Sequence, residues 1–223
     1  MKIIILKALL SILLLTVLSS CEKSVNIPPI DVDPIFEYDN ILILGNSITA
    51  APENKAIGWN ANWGMAASKP EFDFVHLLAG KFINSNPAAK VVAKNIATFE
   101  VDYNNYDIDK ELSASLSNKP DLVIIRIGEN VTQEAIGFEA RYKDLIAFIK
   151  LDNPNVRIIG VGSFWGNEAA DKVMAGSGEF ITSKPLGADM SNYAWGLYEN
   201  HDIASHPSDK GMKAIAELIW SAI

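Results

Sequence analysis

The sequence has little cysteine, little histidine and no excess of positive charge. Its 223 residues include one cysteine and three histidines, and 19 lysines and arginines stand against 27 aspartates and glutamates, for a formal net charge of −8. A lone cysteine excludes a disulfide within the chain. Binding of nucleic acid requires clustered basic residues, so we expect no nucleic-acid partner. His201 and His206 have no third ligand near them in the sequence, so we also expect no zinc site.

Long apolar runs are also lacking, except for one at the N-terminus. It spans residues 3–18, and Lys2 and Lys7 flank and interrupt it. The run is too short and too early for an ordinary membrane-spanning helix, so we predict that residues 1–20 are a signal peptide. It ends in the sequence LSSC at 18–21, which resembles the bacterial lipobox, the motif whose cysteine becomes the lipidated first residue after cleavage.

This resemblance implies an exported bacterial lipoprotein, anchored to a membrane through Cys21 on the periplasmic or cell-surface side. Residues 21–37 contain three prolines, and proline fixes φ and removes backbone donors. We therefore predict an extended, proline-rich tether over 21–37. The remaining residues, 38–223, are enough for one ordinary domain.

Four short apolar runs in this domain predict buried β-strands. Isoleucine and valine dominate the runs, which hardly alternate with polar residues, as in parallel strands that are covered on both faces. The runs lie at residues 41–45, 91–96, 122–128 and 156–162. Apolar residues at helical spacing predict helices over 71–83, 132–151 and 207–223, the last with Pro207 in its first turn.

Alternating strands and helices predict an α/β fold, a three-layer α/β/α sandwich with a mostly parallel sheet. In such sheets the reactive surface lies beyond the carboxyl ends of the strands. Ser47, Asn95 and Asn130 each come at the end of a different predicted strand. We therefore expect these three residues at one edge of the sheet.

The segment ILILGNSITA, residues 41–50, runs from a predicted strand into a glycine and a serine. Ser47 is open to two interpretations: a turn residue that bonds its own backbone, or a nucleophile presented at the sheet edge. Acyl transfer at a serine also needs a base, a group that orients the base, and donors for the developing oxyanion.

Candidates for these roles occur later in the chain. The side chain of Asn130 could donate to an oxyanion, although Asn130 and Gln133 also fit a helix N-cap with its capping-box partner. His206 lies in the last loop and titrates near neutrality, which suits a base. His76 lies among apolar residues of a predicted helix, and we expect it to be structural.

Three motifs resemble, in order and in spacing, those of the SGNH (GDSL-like) hydrolase superfamily: GNS at 45–47, GEN at 128–130 and HPSDKGM at 206–212. The resemblance covers nearly the whole domain and implies a flavodoxin-like α/β/α sandwich that hydrolyses carboxylic esters through an acyl-enzyme. It implies that Ser47 is the nucleophile and also an oxyanion-hole donor through its own N–H. It further implies that Asn130 is the side-chain donor to that hole and that His206 is the general base and then the acid.

The first two blocks depart from the family pattern. The first block usually reads Gly-Asp-Ser, and Asn46 stands here in place of the aspartate. The second block supplies a glycine whose N–H donates to the oxyanion, but the matching segment, 95–100, has no glycine. The backbone N–H of Phe99 or Glu100 could serve instead, because every residue except proline has one.

The last block departs from the family pattern in its acid. The usual aspartate lies three residues before the histidine, where this sequence has Ile203, and Asp202 lies one residue further back. Two possibilities are open. Either the loop bulges so that Asp202 reaches His206, or a backbone carbonyl near Ile203 orients a Ser–His dyad.

Two loops expected to border the site contain aromatic side chains, Trp59 and Trp63 in 58–68 and Phe164 and Trp165 in 164–174, and Trp195 lies further along the chain. Exposed, they could stack on a sugar ring or line an acyl pocket, and buried they would close the edges of the core. The turn after the first strand has no phosphate-loop pattern, so we expect no nucleotide or flavin cofactor. We expect a small-molecule or glycan ester as substrate, with deacetylation of a carbohydrate as the reaction. The alternative is a catalytically weak glycan-binding lipoprotein on the same scaffold.

Overall fold

The structure is a computed structural model that describes residues 38–132 and 134–223. The predicted signal peptide, lipobox and tether, residues 1–37, lie outside the described residues. The described part has five β-strands: β1 (Asn40–Gly45), β2 (Lys90–Asn95), β3 (Leu122–Arg126), β4 (Arg157–Val161) and β5 (Glu179–Ile181). The helices are α1 (Phe74–Ser85), α2 (Ala97–Val101), α3 (Ile108–Leu116), α4 (Phe138–Ile149), α5 (Glu168–Ala175), α6 (Lys184–Ala188), α7 (His201–Ala204) and α8 (Asp209–Trp220).

The five strands form one parallel sheet in the order β2-β1-β3-β4-β5. This is the flavodoxin-like order of doubly wound sheets, whose reactive surface lies at the carboxyl ends of the strands. The register aligns Gly45 at the end of β1 with Asn95 of β2 and Arg126 of β3. Residues that follow these three strands therefore start from the same edge, as predicted.

Helices cover both faces of the sheet, because alternate residues of each strand point to opposite sides. Ile41 and Ile43 of β1 pack in a core with α1 and α8, whereas Leu42 and Leu44 pack in a second core with α2, α3, α4 and α5. The predicted three-layer α/β/α sandwich is confirmed. Among the described helices, none combines the length and apolar character needed to cross a membrane.

Four strands and the central part of three helices agree with the sequence-based prediction, but all three helices begin later than predicted, the first at Phe74 instead of residue 71. The helix predicted from residue 132 begins at Phe138, because Gly137 has φ +80° and that conformation cannot continue a helix. The terminal helix begins at Asp209, with Ser208 as its N-cap, so Pro207 precedes the helix rather than lying in its first turn. Strand β5 was not predicted, since its three residues, EFI, are too few to show a pattern.

Gly45, at the end of β1, is required by close packing. A Cβ atom at this position would lie 1.9 Å from the Thr49 hydroxyl oxygen and 2.9 Å from the carbonyl oxygen of Arg126. The absence of a side chain lets the turn after β1 fold back against β3. Ser47 follows within this turn, partly exposed at the carboxyl edge of the sheet.

Candidate active site

Ser47 and His206 meet at the carboxyl edge of the sheet, although 159 positions separate them in the chain. Ser47 lies in the turn after β1, and His206 lies between α7 and α8. The distance from Ser47 Oγ to His206 Nε2 is 2.9 Å, which is hydrogen-bonding distance. The structure thus places a hydroxyl next to an imidazole, the arrangement that activates a serine nucleophile.

The backbone of Asp202 orients the imidazole from its other side. The carbonyl oxygen of Asp202 lies 2.7 Å from His206 Nδ1. A carbonyl oxygen can only accept, so Nδ1 carries the proton and Nε2 is left to accept from the Ser47 hydroxyl. This geometry agrees with the second of the two possibilities, a backbone carbonyl near Ile203, because the carbonyl is that of the preceding residue, Asp202. The Asp202 carboxylate, predicted as the catalytic acid, is not the group that contacts the ring.

Helix α7 fixes the position of that carbonyl. The helix has only four residues, and its N-cap, Asn200, accepts from the N–H of Asp202 at 2.8 Å and of Ile203 at 3.4 Å. Side-chain caps of this kind satisfy donors that a short helix would otherwise leave unpaired. The chain therefore reaches His206 through a turn that the Asn200 side chain stabilises.

Burial lowers the pKa of His206 below its usual value, because the charged imidazolium is poorly solvated. The hydrogen bond to the Asp202 carbonyl and the negative charge of Glu129 oppose this shift, and the positive charge of Arg126 adds to it. The net direction is downward, so the imidazole is neutral at pH 7 and available as a base.

Asn46, directly before Ser47, is fully buried and joins two carboxylates. Its Nδ2 donates to Glu129 Oε2 at 2.6 Å and to Glu100 Oε1 at 3.2 Å. Its Oδ1 accepts from the N–H of Ile48 at 3.1 Å. The side chain thus spans from the serine turn to two acidic residues on other elements, and it uses both ends of the amide to do so.

An ion pair lies beneath this turn. Arg126, in β3, donates through Nη2 to Glu129 Oε1 at 2.5 Å, and both side chains are almost completely buried, with 0% and 1% of their surface exposed. Arg126 Nη1 also donates to Asn46 Oδ1 at 3.3 Å, and the N–H of Phe164 donates to Glu129 Oε1 at 2.7 Å. Buried charges of this kind persist only when they are paired and hydrogen-bonded.

Glu100 contributes the second buried carboxylate, from α2. It accepts from the N–H of Gly128 at 2.6 Å, from the N–H of Asn130 at 3.3 Å and from Asn130 Nδ2 at 2.8 Å. Burial raises its pKa to about 7, the negative charge of Glu129 adds to the rise, and the hydrogen bonds oppose it. The feature of Glu100 that the structure brings into the site is therefore its carboxylate, whereas the sequence had suggested only its backbone N–H.

Asn130 does not cap a helix, because α4 begins eight residues later. The residue follows Gly128, which has φ +127°, a conformation that side-chain-bearing residues rarely adopt. One amide hydrogen of Asn130 points to Glu100, and an amide nitrogen carries two. The exposed position of Asn130 leaves the second hydrogen for another acceptor.

The sequence suggested the backbone N–H of Phe99 or of Glu100 in place of the missing glycine N–H of the second block. The N–H of Phe99 is already paired, because it donates to the Ile96 carbonyl at 2.8 Å.

The loop aromatics divide between core and surface. Trp59 and Phe164 are buried, and Trp63 is partly buried with its Nε1 donating to the Ala67 carbonyl at 2.8 Å. Trp165 and Trp195 are exposed over 40% and 37% of their surface. Trp165 lies against His206, since their ring centroids are 5.1 Å apart.

No group of histidine, cysteine and acidic residues suited to a metal ion occurs within residues 38–132 and 134–223. His201 instead packs against Trp195, with ring centroids 4.6 Å apart, and His76 bonds Asp73 through Nδ1 at 2.8 Å. The contact between the Ser47 hydroxyl and the His206 imidazole is an arrangement suited to acid–base and nucleophilic chemistry.

Sequence reasoning missed the buried pair of Arg126 and Glu129. A signal was present, because an arginine in the middle of the apolar run LVIIRIG must find a partner if that strand is buried. The partner could be guessed from the acid three residues later in the same motif. The contact of both with Asn46 could not, since it joins residues 80 or more positions apart.

No protein-family model matches the sequence, and no curated protein is significantly similar to it. Solved structures with the same fold include a two-domain esterase active on acetylated mannans, co-crystallised with mannopentaose, at 21% identity and a TM-score of 0.56. That match covers 82% of this chain and 48% of the esterase, so this chain spans about half its length.

Two further structures support the same fold. A protein of Bacteroides uniformis named as a GDSL-like lipase has 16% identity and a TM-score of 0.55, over 83% of this chain and 95% of that one. An acetyl xylan esterase of the rumen bacterium Butyrivibrio proteoclasticus has 13% identity and a TM-score of 0.50, over 84% and 64%. The α/β/α fold that the motif resemblance implies is thus confirmed by these solved structures.

Proposed function

We propose that this protein is a serine esterase that hydrolyses carboxylic esters through an acyl-enzyme and that it removes acetyl groups from a carbohydrate. The observation that carries the proposal is the 2.9 Å contact between Ser47 Oγ and His206 Nε2, on a ring whose tautomer the Asp202 carbonyl fixes. An intact Ser–His pair at the carboxyl edge of the sheet favours turnover over the alternative, a glycan binder without activity.

The proposed mechanism uses His206 twice. Nε2 accepts the proton of the Ser47 hydroxyl as Oγ attacks the ester carbonyl carbon, and the imidazolium is stabilised by the Asp202 carbonyl at Nδ1. Collapse of the tetrahedral intermediate breaks the bond to the alcohol oxygen, which takes the proton from Nε2. Water then attacks the acyl-enzyme while Nε2 accepts its proton, and Nε2 returns that proton to Ser47 Oγ as the acid leaves.

Donors for the oxyanion come, in this proposal, from the N–H of Ser47 and from Asn130 Nδ2. Glu100 holds the first hydrogen of Nδ2 at 2.8 Å and so directs the amide. The four N–H contacts on Glu100, together with its raised pKa, limit the negative charge that it brings near a developing oxyanion. Fixed donors aimed at developing charge are usually the largest single contribution to such reactions.

A carbohydrate as the alcohol is supported by the folds that resemble this chain and by Trp165. Two of the solved structures are described as esterases of acetylated mannan and acetyl xylan. The direct test is release of acetate from acetylated xylo- and manno-oligosaccharides by the purified domain, with p-nitrophenyl acetate as the general ester. Hydrolysis of p-nitrophenyl acetate without release from either glycan would remove the carbohydrate from the proposal. Binding of these glycans without hydrolysis of any ester would support the alternative.

The side chain of Asp202 is expected to matter little for activity. Asp202→Ala keeps the backbone carbonyl that holds His206 Nδ1, so kcat/KM for p-nitrophenyl acetate should stay within about threefold of wild type, whereas loss of the acid from a Ser-His-Asp triad costs about 10⁴ in kcat. The Asp202 charge raises the pKa of His206, so its removal should move the acid limb of the pH profile to lower pH.

A matched variant leaves the Asp202 side chain intact and instead removes the support of its backbone carbonyl. Asn200→Ala removes the cap of α7, which loosens the turn that presents the Asp202 carbonyl, and should lower kcat/KM more than Asp202→Ala does. A loss of a hundredfold or more in Asp202→Ala, together with an unaffected Asn200→Ala, would show that the carboxylate is the orienting group.

We also propose that the domain is held at a membrane by a lipid on Cys21, on the strength of the LSSC sequence. Full-length protein expressed in a bacterial host that is fed a labelled fatty acid should carry the label, and Cys21→Ser should not. An unlabelled wild-type protein, or label that persists in Cys21→Ser, would contradict the proposed anchor.

A further inference from the structure

A groove of roughly 380 Å³ lies between the loop after β4 and helix α6, and Trp165, which contacts His206, forms part of its lining. Its lining includes the buried Phe164, the exposed Trp165, the small residues Gly166, Gly187 and Ala188, and the side chains of Glu168 and Lys184. The groove is thus bounded by one broad aromatic surface and by one pair of opposite charges.

Trp165 connects this groove to the reacting atoms. Its indole Nε1 donates to the carbonyl oxygen of Ser205 at 3.0 Å, and its ring meets that of His206 edge to face at an interplanar angle of 85°. The hydrogen bond fixes the ring, while 40% of the residue remains exposed. A flat apolar face is therefore held at a set position next to the residue that protonates the leaving alcohol.

Glu168 and Lys184 provide the polar part of the groove. Lys184 Nζ lies 2.7 Å from Glu168 Oε1, and the two side chains remain 58% and 84% exposed. Each belongs to the first turn of its helix, α5 or α6. An exposed pair keeps spare donors on the ammonium and spare acceptors on the carboxylate, which is what adjacent hydroxyl groups require.

The spacing between the two walls is fixed by Gly187. A Cβ atom at this position would lie 1.6 Å from the carbonyl oxygen of Phe164, so α6 packs directly against the backbone of the loop that carries Trp165. The groove is therefore largely preformed, as binding sites for small molecules usually are.

We propose that this groove is the subsite for the sugar ring on the alcohol side of the ester, with the ring stacked on Trp165 and its hydroxyls bonded to Lys184 and Glu168. The proposal rests on the proposed esterase function and assigns the alcohol to this side of the site. A pyranose has apolar C–H faces and a polar rim, which match an aromatic surface beside a charge pair. An acyl chain has no hydroxyl groups that could hydrogen-bond to Lys184 or Glu168.

The test compares two substrates in three variants. Trp165→Ala should lower the ratio of kcat/KM for acetylated xylo- or manno-oligosaccharide to kcat/KM for p-nitrophenyl acetate by about tenfold or more, the size expected when a stacking surface is lost. Lys184→Ala, which does not contact His206, should raise KM for the glycan severalfold with little change in its kcat. Trp195→Ala removes an exposed tryptophan outside the groove and should leave the ratio unchanged.

An equal loss on both substrates in Trp165→Ala, with no change in KM in Lys184→Ala, would overturn the subsite. Binding of xylopentaose and mannopentaose, measured by calorimetry, separates this result from failure of the esterase proposal. Wild-type protein should bind at least one of them and Trp165→Ala should bind it at least tenfold more weakly, whether or not any ester is hydrolysed. Absence of binding of either pentaose to the wild-type protein would also overturn the subsite.

Discussion

Replacing Ser47 with alanine is expected to lower kcat/KM for p-nitrophenyl acetate by at least about 10³, because the variant loses the atom that forms the acyl-enzyme. His206→Ala should cost a similar factor, since the hydroxyl is a weak nucleophile without the base 2.9 Å away. The two residues act as one unit, so the double variant should be no slower than the slower single variant.

Ser115→Ala provides the matched control. Ser115 lies on α3 and lines a cavity with Asn40 and Leu42 near the start of β1, at the opposite end of the strand from Ser47. Its activity should equal that of wild type. Mass spectrometry of wild-type protein quenched during turnover should show one acetyl group on the peptide that contains Ser47. Activity retained in Ser47→Ala, or an acetyl group on another residue, would refute the proposed nucleophile.

The second large effect is expected on stability. Arg126→Met should lower the free energy of unfolding by about 3–5 kcal/mol, the usual cost when one partner of a buried ion pair is removed. Arg126 is the cation that contacts Glu129 and Asn46, and Glu100 lies on the far side of the same amide. Without the Arg126 guanidinium, the buried carboxylates of Glu100 and Glu129 would both contact the Asn46 amide with no cation paired to Glu129. Urea unfolding, followed by circular dichroism, measures the change.

The loss in Arg126→Met should also depend on pH in a defined direction. A buried carboxyl group with a raised folded-state pKa lowers the free energy of unfolding little while it stays protonated. The free energy of unfolding falls as the pH rises through that pKa and the group ionises. The pKa of Glu100 is already raised to about 7, so the destabilisation should be smaller at about pH 5 than at about pH 8.

Lys143→Met is the matched control for Arg126→Met. It removes an exposed cation that pairs with Glu139 on the surface of α4, and it should leave the unfolding midpoint unchanged. A destabilisation in Arg126→Met that is independent of pH would show that packing, rather than charge, is what the arginine supplies.

The parts of the fold that follow from local pattern were accessible from the sequence. The runs around Ile43 and Ile124 contain almost only apolar residues, and both form central strands whose apolar side chains are buried. Ser47 and His206 could be paired from three short motifs taken together. The start of α4 was missed because one glycine, Gly137, outweighs the apolar spacing that precedes it.

The remainder of the site depends on contacts between distant segments, which no local pattern encodes. Which atom of Asp202 meets the imidazole is decided by the four-residue helix α7, and that helix depends on its cap at Asn200. The direction of the Glu100 side chain is decided by donors from the loop after β3, 28 and 30 positions away. A residue type and a spacing can nominate such groups, but only the folded chain determines which of their atoms face the site.

The amide of Asn46 has a consequence for how this sequence can change over time. It is neutral, donates to Glu100 and Glu129 and accepts from Arg126, so it lies between two acids, of which Glu129 pairs with Arg126. Aspartate, the residue usual at this place in SGNH hydrolases, would replace the donor with a third negative charge. Aspartate at position 46 is therefore expected to be tolerated only if an acid is also lost at position 100 or 129. Substitutions at the four positions 46, 100, 126 and 129 are expected to depend on one another, because their side chains are in contact.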